Sequence, residues 1–195
     1  MNPIDKVLAF IVEIEKLKDV KRKTRPVGLQ LYENSAEHSW HVCLAALMLK
    51  DYANDDIDID IDRVIKMLLI HDLGEIDAGD TIIYAGETQE LKAKEAEGLK
   101  RLLAILPQGK GEEYLSLWYE FESGESADAI FAKAIDRVPP LLHNLHGNGH
   151  SWREHGITKA QILGVNSRIA KGSEALWSSL EQQLETAIED GILAP

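Results

Sequence analysis

Apolar residues recur at spacings of three and four along almost the whole chain, and this period is the strongest constraint on its fold. Ile4, Val7, Leu8, Ile11, Ile14 and Leu17 set the pattern near the start. Such spacing places them on one face of a helix. Ser35 is a candidate N-cap for "AEHSWHVCLAALMLKDYA", and Asp60 for "RVIKMLLIHDL", which should end at Gly74. "TQELKAKEAEGLKRLLAIL" is stopped by Pro107, and "EEYLSLWYEFES" reads as a shorter helix. Ser126 caps "ADAIFAKAIDRVPPLLHNL", which Pro139 and Pro140 should bend or break. "GNGHSWREHG" reads as a loop, and Thr158 and Ser173 as caps of two last helices. Ile and Asp alternate over 57–62 as they would in a strand, but no partner strand is evident. The expected class is therefore all-α. One helical-bundle domain is expected over 1–195, with its site-bearing core at about 30–145 and helices at about 158–190 packed on it.

A chain of 195 residues with 45% hydrophobic content can bury a core of its own. No apolar run is long enough to cross a bilayer and no signal-peptide pattern stands at the start, so a cytoplasmic location is expected. The formal net charge of −12 opposes nonspecific binding to nucleic acid or to an anionic membrane. It also repels anionic substrates, so a phosphate-bearing ligand needs a metal or a local group of Lys and Arg. The single cysteine, Cys43, cannot staple the chain and reads as a buried structural thiol.

"LLIHDLGEIDAGD", from Leu68 to Asp80, puts titratable groups into a segment otherwise built for a core. A lone buried His38 or His71 is adequately explained by one hydrogen bond. Asp72 is harder to explain, because a carboxylate buried without compensation costs several kcal/mol. Asp136 is equally odd within "AIFAKAIDRVPPLL", unless it pairs with Arg137 or a nearby Lys. Together, His38, His71, Asp72 and Asp136 offer two imidazoles and two carboxylates from three helices. Helix bundles build metal sites from inward-facing ligands in this way. A mixed N/O set suits a borderline or hard divalent ion.

"SAEHSWHV", "HDLGEIDAGD" and "AIDRVPPLL", in that order, resemble the HD superfamily of metal-dependent phosphohydrolases. Its H...HD...D signature would be carried here by His38, His71–Asp72 and Asp136. The nearer resemblance is to bacterial 5′-deoxynucleotidases and the HD-domain-containing protein 2 group, over roughly residues 4–145. That resemblance implies one divalent ion, with cobalt or manganese first, while zinc, iron and magnesium also suit the ligand types. It implies catalytic roles for Glu75, which would activate water, and for Asp80, as acid for the leaving hydroxyl or partner of the water. Glu75 is also at i+4 from His71 and shares its face if the helix persists. Arg22, within the basic "KDVKRKTR", would contact phosphate, and Lys23 stands where the family often has a tryptophan near the sugar. Glu37 is expected to hold a ligand's ring N–H from behind. Relatives also imply a homodimer.

Other features carry less. Asp77 reads as a solvated carboxylate, and His143, His146 and His150 as surface histidines without a ligand spacing. Trp40, Trp118, Trp152 and Trp177 suit core or interface positions, and Ser39 and Ser116 lack the context of a nucleophile. The expected activity is hydrolysis of nucleoside 5′-monophosphates, deoxyribonucleotides preferred, to nucleoside and phosphate. The alternatives are an HD phosphohydrolase acting on another nucleotide phosphoester, and a noncatalytic nucleotide or metal sensor. A helical adaptor with coincidental ligands is the remaining one.

Overall fold

The apolar period becomes helix along most of the chain. A computed structural model describes residues 2–86 and 88–193, so Met1, Ala194 and Pro195, at the ends of the expected domain, and Glu87 lie outside the described residues. Eleven α-helices follow one another with no strand among the described residues. They are α1 (Pro3–Glu13), α2 (Ser35–Leu49), α3 (Ile61–Ile70), α4 (Glu75–Ala78), α5 (Gln89–Leu103) and α6 (Lys110–Ser123). Next come α7 (Ala127–Asp136), α8 (Val138–His146), α9 (His150–His155), α10 (Lys159–Asn166) and α11 (Glu174–Glu189).

Helix α3 packs against both α2 and α7. Its Val64, Met67 and Leu68 are fully buried with Val42 and Ala46 of α2 and Phe131 and Ile135 of α7. Each such Leu or Ile stabilises the fold by about 1.5–3 kcal/mol. A second buried cluster joins Val138, Leu141, Trp152, Ile162, Leu180 and Leu184, contributed by α8 to α11. Helix α7 gives Phe131 and Ile135 to the first cluster and Ala134 to the second, which α8 then continues. Pro139 lies in the first turn of α8, where its missing N–H costs nothing.

Four local expectations change. Asn34, not Ser35, caps α2: its side chain accepts the Glu37 N–H at 3.0 Å, and Ser35 becomes the first helical residue. "GNGHSWREHG" is not all loop, because α9 forms within it. Cys43 is half-buried rather than buried, although burial still pushes its thiol up to about 11. Helix α3 stops at Ile70, so His71–Gly74 forms a turn and Glu75 opens α4.

Gly74 permits this turn. A Cβ there would lie 2.4 Å from the Glu95 carbonyl oxygen, and one on Gly98 would lie 2.9 Å from the Gly74 carbonyl oxygen. The turn therefore rests backbone to backbone on α5, and Arg101 of α5 grips Asp77 at 2.6 and 2.9 Å. The solvated carboxylate expected at Asp77 is half of an exposed ion pair. Elsewhere, residues 20–24 run antiparallel to residues 33–35. Arg22 N donates to Glu33 O at 2.9 Å, Glu33 N to Thr24 O at 3.0 Å, and Ser35 N to Val20 O at 3.0 Å. This short pairing fixes Arg22 and Glu33 beside the start of α2.

Candidate metal centre and active site

His38 comes from the first turns of α2, His71 and Asp72 from the turn after α3, and Asp136 from the end of α7. His38 Nε2 lies 2.9 Å from Asp136 Oδ1, and His71 Nε2 lies 3.4 Å from the same oxygen. His71 Nε2 is also 3.1 Å from Asp72 Oδ1. His71 Nδ1 donates to the Leu68 carbonyl at 2.7 Å, which leaves the Nε2 lone pair facing the carboxylates. That buried Nε2 has no hydrogen-bond partner among the described residues. A nitrogen lone pair facing two carboxylate oxygens calls for a proton or a cation between them, and the N/O donor set suits a divalent ion. His38, His71 and Asp136 each offer a ligand atom within 4.8 Å of the others.

Without an ion, a proton carries that role. Burial opposes charge on His71, but Asp72 and Asp136 outweigh it and hold its pKa up at about 9. Burial likewise works to raise Asp136, but the hydrogen bond with His38 and the His71 ring beside it outweigh burial and keep this carboxyl well below its usual range. Trp118 Nε1 donates to the His71 carbonyl at 3.0 Å, and the Phe121 ring lies 5.2 Å from the His71 ring. These contacts lock the turn in place.

Glu75, Asp80 and Arg22 line the same cleft. Ser35 Oγ donates to Glu75 Oε2 at 2.6 Å. Burial and the neighbouring Asp72 push Glu75 well above the usual carboxylate range. Burial also raises Asp80, again with Asp72 contributing and Arg22 opposing. Arg22 donates to Asp72 Oδ2 at 2.9 Å and lies 3.8 Å from Asp80 Oδ1. Burial works against its charge, but Asp72, Glu75, Asp80 and Asp136 outweigh it and move its pKa further up. The cleft continues past Lys23 and Asp80 to Tyr84, Asn144 and Trp152.

Glu37 requires a correction. Its carboxylate accepts the Asn34 N–H at 3.1 Å, closing the capping box of α2. The carboxylate behind His38 is Glu33, whose Oε2 lies 3.5 Å from His38 Nδ1. Glu33 is only 2% exposed, and a buried loop residue of this kind leaves no periodic trace in a sequence. His143 is buried rather than at the surface, and it groups with Glu33 and His41. The three-residue spacing of His38 and His41 was the available hint. His146 is exposed, and His150 lies 3.5 Å from Glu154. Trp118 and Trp152 are core residues, whereas Trp40 is exposed.

Residues 14–177 match the HD domain family, and the chain belongs to that family. It is related to metal-dependent phosphohydrolases of this fold. A crystal structure of a predicted metal-dependent phosphohydrolase from Magnetospirillum magnetotacticum superposes with a TM-score of 0.92 at 41% identity, covering 99% of this chain and 96% of that one. The Dictyostelium discoideum 5′-deoxynucleotidase HDDC2 is 29% identical over 185 residues, 92% of this chain and 96% of that protein. The Bos taurus 5′-deoxynucleotidase HDDC2 is 30% identical over 138 residues, 70% of this chain. The match spans 65% of that relative's own length.

Proposed function

We propose that this protein is a metal-dependent phosphomonoesterase that hydrolyses nucleoside 5′-monophosphates, deoxyribonucleotides preferred, to nucleoside and phosphate. The observation that carries this reading is the partnerless His71 Nε2, buried among His38, Asp72 and Asp136 with two raised carboxyls beside it. His38, His71, Asp72 and Asp136 would hold one divalent ion, cobalt or manganese first among cobalt, manganese, zinc, iron and magnesium. When bound, such an ion polarises a phosphoryl oxygen and offsets charge in the transition state.

The remaining roles fall to the chain itself. Arg22 holds a phosphate oxygen, answering the repulsion of the acidic surface. Glu75 in its ionised form takes a proton from the attacking water as the water oxygen bonds to phosphorus, and its raised pKa makes it the stronger base for that step. The ester P–O bond breaks on the far side, and Asp80 in its protonated form gives its proton to the departing 5′ oxygen. Ser35 keeps Glu75 oriented. Tyr84, half-buried in the continuation of the cleft, offers apolar surface to the nucleoside. The names of the relatives support the substrate class, and Lys23 bears on the choice between ribose and deoxyribose.

A homodimer is part of the same reading. Ile4, Leu8 and Val12 of α1, and Trp40, Leu44 and Met48 of α2, are exposed, as interface side chains are before assembly. No described helix is long and apolar enough to cross a membrane.

The experiment is phosphate release from a panel of ribo- and deoxyribonucleoside 5′-monophosphates, using protein stripped of metal and reloaded with cobalt, manganese, magnesium or zinc. Release that requires metal and is lost in Asp72→Ala is expected. Absence of release from every monophosphate, with stoichiometric metal still bound, would reject the nucleotidase in favour of another phosphoester or of a sensor.

A further inference from the structure

Beside the catalytic cleft lies a second cavity, of about 440 Å³, that the proposed reaction does not use. Its walls include Pro26, Leu29, Trp40 and Leu142, and three potential ligands meet there: Glu33, His41 and His143. One ligand atom from each lies within 4.8 Å of the other two. His143 Nδ1 is 3.4 Å from Thr24 Oγ1. With that nitrogen turned to the hydroxyl, Nε2 faces Glu33 Oε1 at 3.9 Å. That separation is too long for a hydrogen bond. The rings of His41 and His143 lie 5.8 Å apart at 34°. Glu33 and His143 are almost fully buried, while His41 stands at the mouth, half-buried.

We propose that Glu33, His41 and His143 form a second binding site, for a divalent transition-metal ion, next to the His38–His71–Asp72–Asp136 centre. Two imidazoles and one carboxylate bind zinc, cobalt, nickel or iron well, and leave positions open for water. Ligand atoms around such an ion at about 2.0–2.2 Å sit closer together than 3.9 Å, so the site closes slightly on binding. Hard ions such as magnesium prefer all-oxygen surroundings and are poor occupants. The backbone pairing of residues 20–24 with 33–35 holds both Thr24 and Glu33 in place. His41 projects from α2, three residues after His38.

Glu33 ties the two centres together. Its Oε2 faces His38 Nδ1 at 3.5 Å while its Oε1 faces His143. An ion on Oε1 draws charge from the carboxylate that supports His38, and so weakens His38 as a ligand. Filling the second site is therefore expected to lower the affinity of the first.

The test is titration of the metal-free chain with cobalt(II) alone, followed by visible absorption and by metal analysis after dialysis. Two equivalents are expected for the intact chain. His41→Ala and His143→Gln should each remove one of them, and His71→Ala should remove the other. A single equivalent that survives His71→Ala and disappears in His41→Ala would still support this site, while counting against the proposed catalytic centre. A single equivalent lost in His71→Ala and retained in His41→Ala would overturn the second site. So would a second equivalent that persists in both His41→Ala and His143→Gln. Circular dichroism identifies any variant that fails to fold, and if buried His143 cannot be replaced, half-exposed His41 decides the matter.

Discussion

Two clusters of histidine and carboxylate stand side by side near the start of α2, and burial acts on them differently. Around His71, Asp72 and Asp136 come within 3.4 Å of the ring, with Glu75 and Asp80 close by and Arg22 as their cationic partner. Negative charge is in surplus there. Without a metal, the surplus draws a proton onto His71 and raises Glu75. Around His143, one carboxylate meets two imidazoles beside an open cavity. Burial lowers the pKa of His143 despite the attraction of Glu33. Burial also opposes charge on Glu33, but His38, His143 and Arg22 keep it below its usual range. The first cluster demands a cation, whereas the second tolerates one. Charge surplus in a closed space, rather than the number of histidines, separates them.

The comparison can be broken most directly at its charged side. Asp72→Ala should abolish metal-dependent phosphate release, because it removes a ligand and the partner of Arg22 together. Release persisting at the unmodified rate would show that the first cluster is not the reacting centre. Glu75→Gln keeps the shape and the Ser35 contact but not the base, so kcat should fall by about 10²–10⁴-fold with metal still bound. A change confined to KM would reassign Glu75 to binding.

Glu33→Gln touches both clusters. It should weaken metal binding at the first by about 10–100-fold, the usual effect of losing a carboxylate behind a ligating histidine. Unchanged affinity there would mean that the two clusters are independent. Gly74→Ala touches neither cluster chemically, yet forces the His71–Gly74 turn away from α5. A loss of about 1–3 kcal/mol in urea unfolding is expected from such overpacking. A neutral result would show that the turn adjusts freely.

The smallest effect is one of pH. In the metal-free protein, His71 has its pKa raised from 6.5 to about 9. Its contribution to stability is therefore complete below pH 6.5 and is lost as pH rises through about 9. A bound ion replaces that proton, so the gain in Tm on adding cobalt should grow between pH 6 and pH 9. A gain that stays flat over this range would remove the proton from the first cluster.

Much of this was legible because it rests on short-range rules. Helical period, the caps at Asp60, Ser126, Thr158 and Ser173, and the break just before Pro139 act within a few residues of one another. The all-α class follows from them. His38, His71, Asp72 and Asp136 were legible because titratable groups stood out against apolar runs and in a familiar order. Glu37 was misplaced for a local reason: a glutamate three residues after Asn34 closes a capping box, and its side chain is spent there. Glu75 does not continue the helix of His71, because the Gly74 turn packs on α5, a partner 21 residues on at Glu95.

The sequence by itself determined the helices, their caps and the residue types able to hold an ion. Only the tertiary structure decided which of those residues meet. The pairing of residues 20–24 with 33–35 turns Arg22 inward and puts Glu33 behind His38. Burial then raises Glu75 and Asp80, while packing brings His143 to the other oxygen of Glu33 and His41 into the same group. Proximity and desolvation depend on segments far apart in the chain, and no local pattern records them.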